Sequence, residues 1–506
     1  MTDVNQSFDE LCDHTRQTAL LASVESLLNW DERTKMPPTA GEYRAEQIEF
    51  LTGLIHQRNT DPRVGEWLAE LTDSALAKDA HSDAGTTIRE IKRGYEKQIK
   101  LPQKLVEELA KLSVLGQQKW VEARKANDFD SFRPLLQQIV KLKREQAEAI
   151  GYEDCIYDAL LDDYEPGEKT ANVTRVLAEL REALVPLVAA IKDSGVEPKH
   201  EILTRSYPTD VQERFGKEAA AKIGFDFERG RLDVTAHPFC TEMGPNDCRI
   251  TTRYDEHHFP GAFFGTLHEA GHGLYQLGLR TEQFGLPPGT YTSLGIHESQ
   301  SRMWENMVGR SRWFWQHFFK PARQAFPSAL SDVSLDDFYF AVNGVRPSLI
   351  RVEADEATYN LHIIIRFELE QALISEDLAV ADLPGAWNDK YREYLGIEPP
   401  NHADGVLQDV HWSAALFGYF ATYSLGNLYA GQFFEQANQD LGNLDEQFAR
   451  GKFSPLREWL REKIHAPGQC YSAAELAERV TAKPLSHEGL IRHLENKLYP
   501  LYGIRA

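Results

Sequence analysis

The segment Gly265-Thr266-Leu267-His268-Glu269-Ala270-Gly271-His272-Gly273-Leu274-Tyr275 places two histidines four residues apart, with a glutamate after the first, inside an apolar pattern of helical period. At about 100° per residue, helical positions four apart stand on one face, one turn apart, so both imidazoles reach a single ion. Glu269 then lies beside the pair, close enough to touch a water without ligating the metal, which is the place of a general base. Gly271 and Gly273 lower helix propensity but leave room for another backbone or for substrate. A catalytic zinc usually takes three protein ligands, so a third must come from elsewhere. A metzincin would supply it from position 278, where this chain has Gly278. Downstream candidates are Glu282, His297, Glu298 and Glu305. Glu298 opens an apolar-periodic run through Arg302, Met303, Met307 and Val308, which predicts a second helix packed beside the first and presenting that carboxylate to the ion. Glu282 sits in a Gly/Pro-bounded loop and is expected in solvent.

Outward from this segment the helical period dominates. From Ser7 to about Asp193 apolar residues recur three and four apart, as in Leu20, Val24, Leu27 and Leu28, with breaks at Met36-Pro37-Pro38, Thr60-Asp61-Pro62, Leu101-Pro102 and Tyr164-Glu165-Pro166-Gly167. Antiparallel helical hairpins follow. Between Gly230 and Tyr254 the texture changes, and Arg249-Ile250-Thr251-Thr252-Arg253-Tyr254, behind Gly244-Pro245-Asn246-Asp247, predicts a short strand or hairpin. The fold class expected is mainly α with a small β-sheet. Residues 1–200 form a helical half and 201–506 a catalytic half, within one continuous unit.

The 506 residues carry 55 basic and 77 acidic side chains, a formal net charge of −22, which disfavours nucleic acid and anionic membranes as partners. The first residues lack a basic-then-apolar run, so no secretory signal is expected. The long uncharged stretch Trp412 to Phe434 is diluted by polar residues and glycines and reads as buried core. Five cysteines without a C-x-x-C pair suit reduced thiols and a cytoplasmic location.

Several segments resemble, in order, the motifs of the carboxypeptidase Taq family of metallocarboxypeptidases. They are His237-Pro238-Phe239, Asp247-Cys248-Arg249-Ile250-Thr251, His268 to His272, His297-Glu298-Ser299-Gln300, Ile350-Arg351-Val352-Glu353-Ala354-Asp355 and Gly405 to Trp412, preceded by Trp30-Asp31-x-x-Thr34-x-Met36-Pro37. Cys248 fills a variable position of its motif. The resemblance implies a large helical zincin-type fold similar to neurolysin and angiotensin-converting enzyme. It also implies one zinc or cobalt ion per chain on His268, His272 and Glu298, water activation by Glu269, and a homodimer.

The remaining expectations concern substrate. His411 and Tyr423 are candidate oxyanion donors by analogy with related helical zinc peptidases. Removal of carboxyl-terminal residues needs a cation for the terminal carboxylate, and Arg351 is the candidate, with Asp355 either orienting it along a helix or forming an exposed pair. Arg249 and its strand suggest a second binding mode, addition of an extended peptide to a strand edge, and with it broad side-chain tolerance. Asp247, Gln408 and Asp409 are expected to close the groove or support the ligands, and His237 to face the site or fix the turn at Pro238. Two alternatives stay open at this point: an endo-acting oligopeptidase with the same metal site, and a non-enzymatic helical peptide-binding protein with a structural metal.

Overall fold

The computed structural model describes residues 4–505. Its amino-terminal part is a run of helices: α1 (Val4–Thr34), α2 (Gly41–Asn59), α3 (Pro62–Leu71), α4 (Asp83–Ile99), α5 (Gln103–Ala126), α6 (Phe129–Ile150) and α7 (Thr170–Asp193). Each break anticipated from proline falls between two of them. At α3 the Asp61 side chain accepts from the Arg63 N–H and Pro62 holds the first helical position, whose N–H would be unpaired in any case. Ser82 caps α4 in the same way by accepting from Gly85.

The apolar stripe read on α1 does form a helix, but its placement differs from expectation: Leu20, Val24 and Leu27 face solvent. The helix packs instead through Leu11, Cys12, His14, Thr18 and Trp30. Leu11 joins Val64, Leu68, Leu71 and Ile88 in a small separate core, whereas the main core runs from Leu105 to Tyr502 and crosses residue 200 without a break.

Three strands follow, β1 (Gly230–Val234), β2 (Cys240–Gly244) and β3 (Asp247–Thr252), in the order β1-β3-β2. β1 runs parallel to β3, and β2 pairs antiparallel with it through Cys240–Ile250, Thr241–Arg249 and Glu242–Cys248, with a bulge between Glu242 and Gly244. The sheet lies on α8 (Phe259–Gly278), which is buried on nearly all sides and carries the two-histidine segment. After it come α9 (Leu294–Arg302), a π-helical turn Met303–Gly309, α10 (Tyr359–Ile374) and α11 (Ala421–Leu441). The stretch from Trp412 is a loop leading into the buried α11, and no helix among the described residues is long and apolar enough to cross a membrane.

Candidate active site

Two helices, α8 and α11, each pack against α9 at a glycine where a side chain would forbid the approach. A Cβ on Gly271 of α8 would lie 2.6 Å from the Gln300 carbonyl oxygen of α9, and a Cβ on Gly426 of α11 would lie 2.5 Å from Glu298 Cγ. The close approach sets Glu298 Oε2 3.6 Å from His268 Nε2 and 3.4 Å from His272 Nε2. One ligand atom from each of the three lies within 4.8 Å of the others. Tetrahedral bonds of about 2.0–2.1 Å put ligand atoms about 3.3 Å apart, so the trio fits one zinc-sized ion with little movement.

Outer partners fix each donor. His268 Nδ1 bonds Glu305 Oε2 at 2.9 Å and His272 Nδ1 bonds the His297 carbonyl at 3.1 Å, which assigns the proton to Nδ1 in both rings and leaves Nε2 free for the ion. Arg302 Nε donates to Glu298 Oε1 at 2.6 Å and Ser301 Oγ to Oε2 at 2.9 Å. Burial opposes ionisation of Glu298, but Arg302 and His268 hold its carboxyl well below the usual carboxylate range. Burial likewise opposes Glu305, yet Arg302 and His268 bring it down to about 2. For His268 burial works against the charged form, and Glu298 and Glu305 reverse that and raise it. Glu269 is 7% exposed, and burial lifts its carboxyl above the ordinary range while His268 and His272 pull the other way. A raised carboxyl beside a ligand pair suits a group that accepts and returns a proton.

A second wall carries a different charge. Arg351 is 6% exposed; its Nε donates to Asp409 Oδ1 at 2.9 Å and its Nη1 to the Tyr359 hydroxyl at 3.0 Å. Fully buried Arg366 donates to the other oxygen of Asp409 at 2.6 Å, so two guanidiniums share one carboxylate. Gln408 Oε1 accepts from the Arg351 N–H at 2.9 Å, and its Nε2 donates to the Leu349 carbonyl and the Tyr391 hydroxyl. His411 Nε2 is 3.2 Å from the Tyr423 hydroxyl. Burial and Arg351 depress His411 to about 3, so the ring is neutral. The walls meet at Tyr359, which bonds Arg351 and lies 4.4 Å beneath the guanidinium of Arg302.

Some expectations need correction. β3 is the central strand, with both edges paired, so no peptide can add to the strand of Arg249. Arg249 instead bonds both Asp247 oxygens at 2.9 Å and stacks 4.3 Å over Trp30, which occupies Asp247 as well. Arg351 lies on a short 3-10 turn, Arg351–Glu353, so Asp355 is not its helical neighbour; Asp355 binds Thr358 and the Arg346 N–H, and Asp409 takes the orienting place. His237 is exposed in the bend between β1 and β2, while Glu282 is exposed as anticipated. Glu305, read only as a possible ligand, is the partner of His268. Arg302 was findable from its spacing of four after Glu298. Arg366 and Tyr359 carry no comparable signal, since only tertiary packing brings them in.

Comparison with known proteins agrees with this geometry. A profile of the family described as Carboxypeptidase Taq (M32) metallopeptidase matches residues 10–498. Thermostable carboxypeptidase 1 of Thermus thermophilus is 49% identical over 507 aligned residues, covering 98% of this chain and 99% of that protein. Carboxypeptidase 1 of Bacillus subtilis is 39% identical, covering 97% and 98%. The crystal structure of the M32 carboxypeptidase from Deinococcus radiodurans R1 superposes with a TM-score of 0.95 at 39% identity, covering 98% of this chain and 100% of that one. The chain belongs to the carboxypeptidase Taq (M32) family of metallopeptidases and is a metal-dependent carboxypeptidase, a hydrolase whose metal triad is His268, His272 and Glu298.

Proposed function

We propose that the enzyme releases residues one at a time from peptides with a free terminal carboxylate. One observation carries this direction of attack. Arg351 and Arg366 hold two buried positive charges against the single Asp409, with His411 neutral, and the surplus matches one substrate carboxylate. His268, His272 and Glu298 would hold the zinc or cobalt ion, which would supply Lewis acidity for water and for the scissile carbonyl. Glu269 takes the proton from the attacking water and returns it to the leaving amine. Tyr423 and His411, joined by their hydrogen bond, stabilise the oxyanion, each donor worth roughly 3 kcal/mol. Gln408 and Asp409 hold Arg351 at the groove floor, and residues 1–200 flank the groove.

We further propose a homodimer working in the cytoplasm. The family resemblance supports the dimer, and five cysteines that are all free thiols support a reducing compartment. A pair of peptides identical except for an amidated carboxyl terminus tests the main reading. The free acid is expected to yield single residues in sequence and the amide to resist. Equal cleavage of both would establish endo-acting hydrolysis instead, and metal present without any turnover would favour the structural-ion alternative.

A further inference from the structure

Cys248, the variable position in its motif, is not isolated. Its Sγ lies 3.6 Å from Cys240 Sγ across the β2–β3 pair. The two are diagonal neighbours, because Cys240 faces Ile250 and Cys248 faces Glu242. On its other side Cys248 Sγ lies 3.4 Å from where a Cβ on Gly273 would stand. Gly273 follows Glu269 by four residues, so the thiol pair sits against the face of α8 that carries Glu269. Cys240 is half-buried and belongs to an edge strand bulged just beyond it, while Cys248 is 1% exposed. Reagent therefore meets Cys240 first.

We propose that Cys240 and Cys248 form a reversible disulfide when a hydroperoxide oxidises the enzyme, and that this bond slows catalysis by shifting the sheet against the Glu269 face of α8. The Cys240 sulfur, as thiolate, attacks the hydroperoxide, the O–O bond breaks, and alcohol or water leaves to give a sulfenic acid. The Cys248 sulfur then displaces the hydroxyl as water and closes the S–S bond. Two thiol hydrogens are lost and the hydroperoxide is reduced by two electrons. Closing the sulfurs from 3.6 Å to about 2.0 Å turns both side chains and pulls on the diagonal β2–β3 pair that lies against α8. A misplacement of about 1 Å near the chemistry costs as much as about 100-fold in rate. Its hydrogen bond to Cys248 and its burial, with Glu269 and Glu242 nearby, push the Cys240 thiol well up, so the reaction quickens as the medium becomes alkaline.

The test treats metal-loaded enzyme with an alkyl hydroperoxide. The expected product is lighter by two hydrogens, yields a cross-linked peptide pair joining 240 and 248, and has kcat lowered at least about tenfold. A dithiol reductant restores it. C240S and C248A each keep basal activity and lose the sensitivity, and either variant alone suffices if the other fails to fold. Oxidation confined to Cys12, Cys155 or Cys470 overturns the proposal, as does sulfinic acid at Cys240 without a link. A cross-link with unchanged kcat overturns the control of catalysis. The cross-link is read by mass alone, so it stands or falls apart from the proposed direction of peptide attack.

Discussion

The two walls of the site leave opposite charges uncompensated. On the metal wall Glu298 and Glu305 pair with Arg302 and Arg310, Glu269 is buried beside the histidines, and both histidines engage Nδ1 and leave Nε2 free for an ion. On the facing wall Arg351 and Arg366 share Asp409. An unpaired buried charge costs several kcal/mol, so a fold retains such an imbalance where a ligand of opposite sign completes it. One wall awaits a cation and the other an anion. A metal-binding peptidase that grips a terminal carboxylate needs both.

The largest expected effect tests the metal wall. Glu269→Gln keeps the shape and removes the base, so kcat is expected to fall by about 10²–10⁴-fold while metal analysis still finds one ion per chain. Retained turnover would remove Glu269 from proton transfer. The facing wall is tested by Arg351→Met, which removes a charge-assisted contact worth roughly 2–3 kcal/mol. The value of kcat/KM for free-acid peptides should fall about 100-fold, with slow cleavage of amidated peptides unchanged. An equal fall for both substrates would mean that Arg351 only holds the Asp409 loop. Glu305→Gln returns to the metal wall: it loses the charge that orients His268, and metal affinity by chelator competition should weaken about 10–100-fold. Unchanged affinity would break the view that outer partners set this site.

The walls also differ in how plainly the sequence displays them. His268 and His272 sit on one helix at a spacing with few other meanings, and Glu298 opens the next apolar run, so local period marks each donor even though the packing of α8 on α9 is what brings the trio together. The Arg351 wall is assembled from a 3-10 turn, a loop and α10, with partners 58 and 43 residues apart in the chain. Spacing there pointed to Asp355, and only the family resemblance singled out Gln408 and Asp409. Proline and glycine breaks located most amino-terminal helices, because they act on the backbone directly. Which face of α1 is buried depended on neighbours, and the apolar stripe at Leu20, Val24 and Leu27 misled.

The smallest effect concerns how the metal wall is propped. Glu165, 1% exposed, accepts from the Gly295 N–H in the first turn of α9, and Tyr164 takes the Leu294 N–H at 3.0 Å, so this segment sets the start of the helix that presents Glu298. Burial raises the Glu165 carboxyl from 4.5 to about 8. A carboxyl raised on folding stabilises the fold in its protonated form. That contribution is complete below the unfolded value and is lost as pH climbs through the folded one, by at most about 1.4 kcal/mol per pH unit. Glu165→Gln keeps an acceptor for Gly295 and cannot ionise. Its thermal midpoint should therefore decline less than that of the parent as pH rises from about 5 to about 8, leaving the variant relatively more stable on the alkaline side. Parallel curves for the two proteins would show that the prop of α9 does not titrate in this window, and that the metal wall is held without a proton on Glu165.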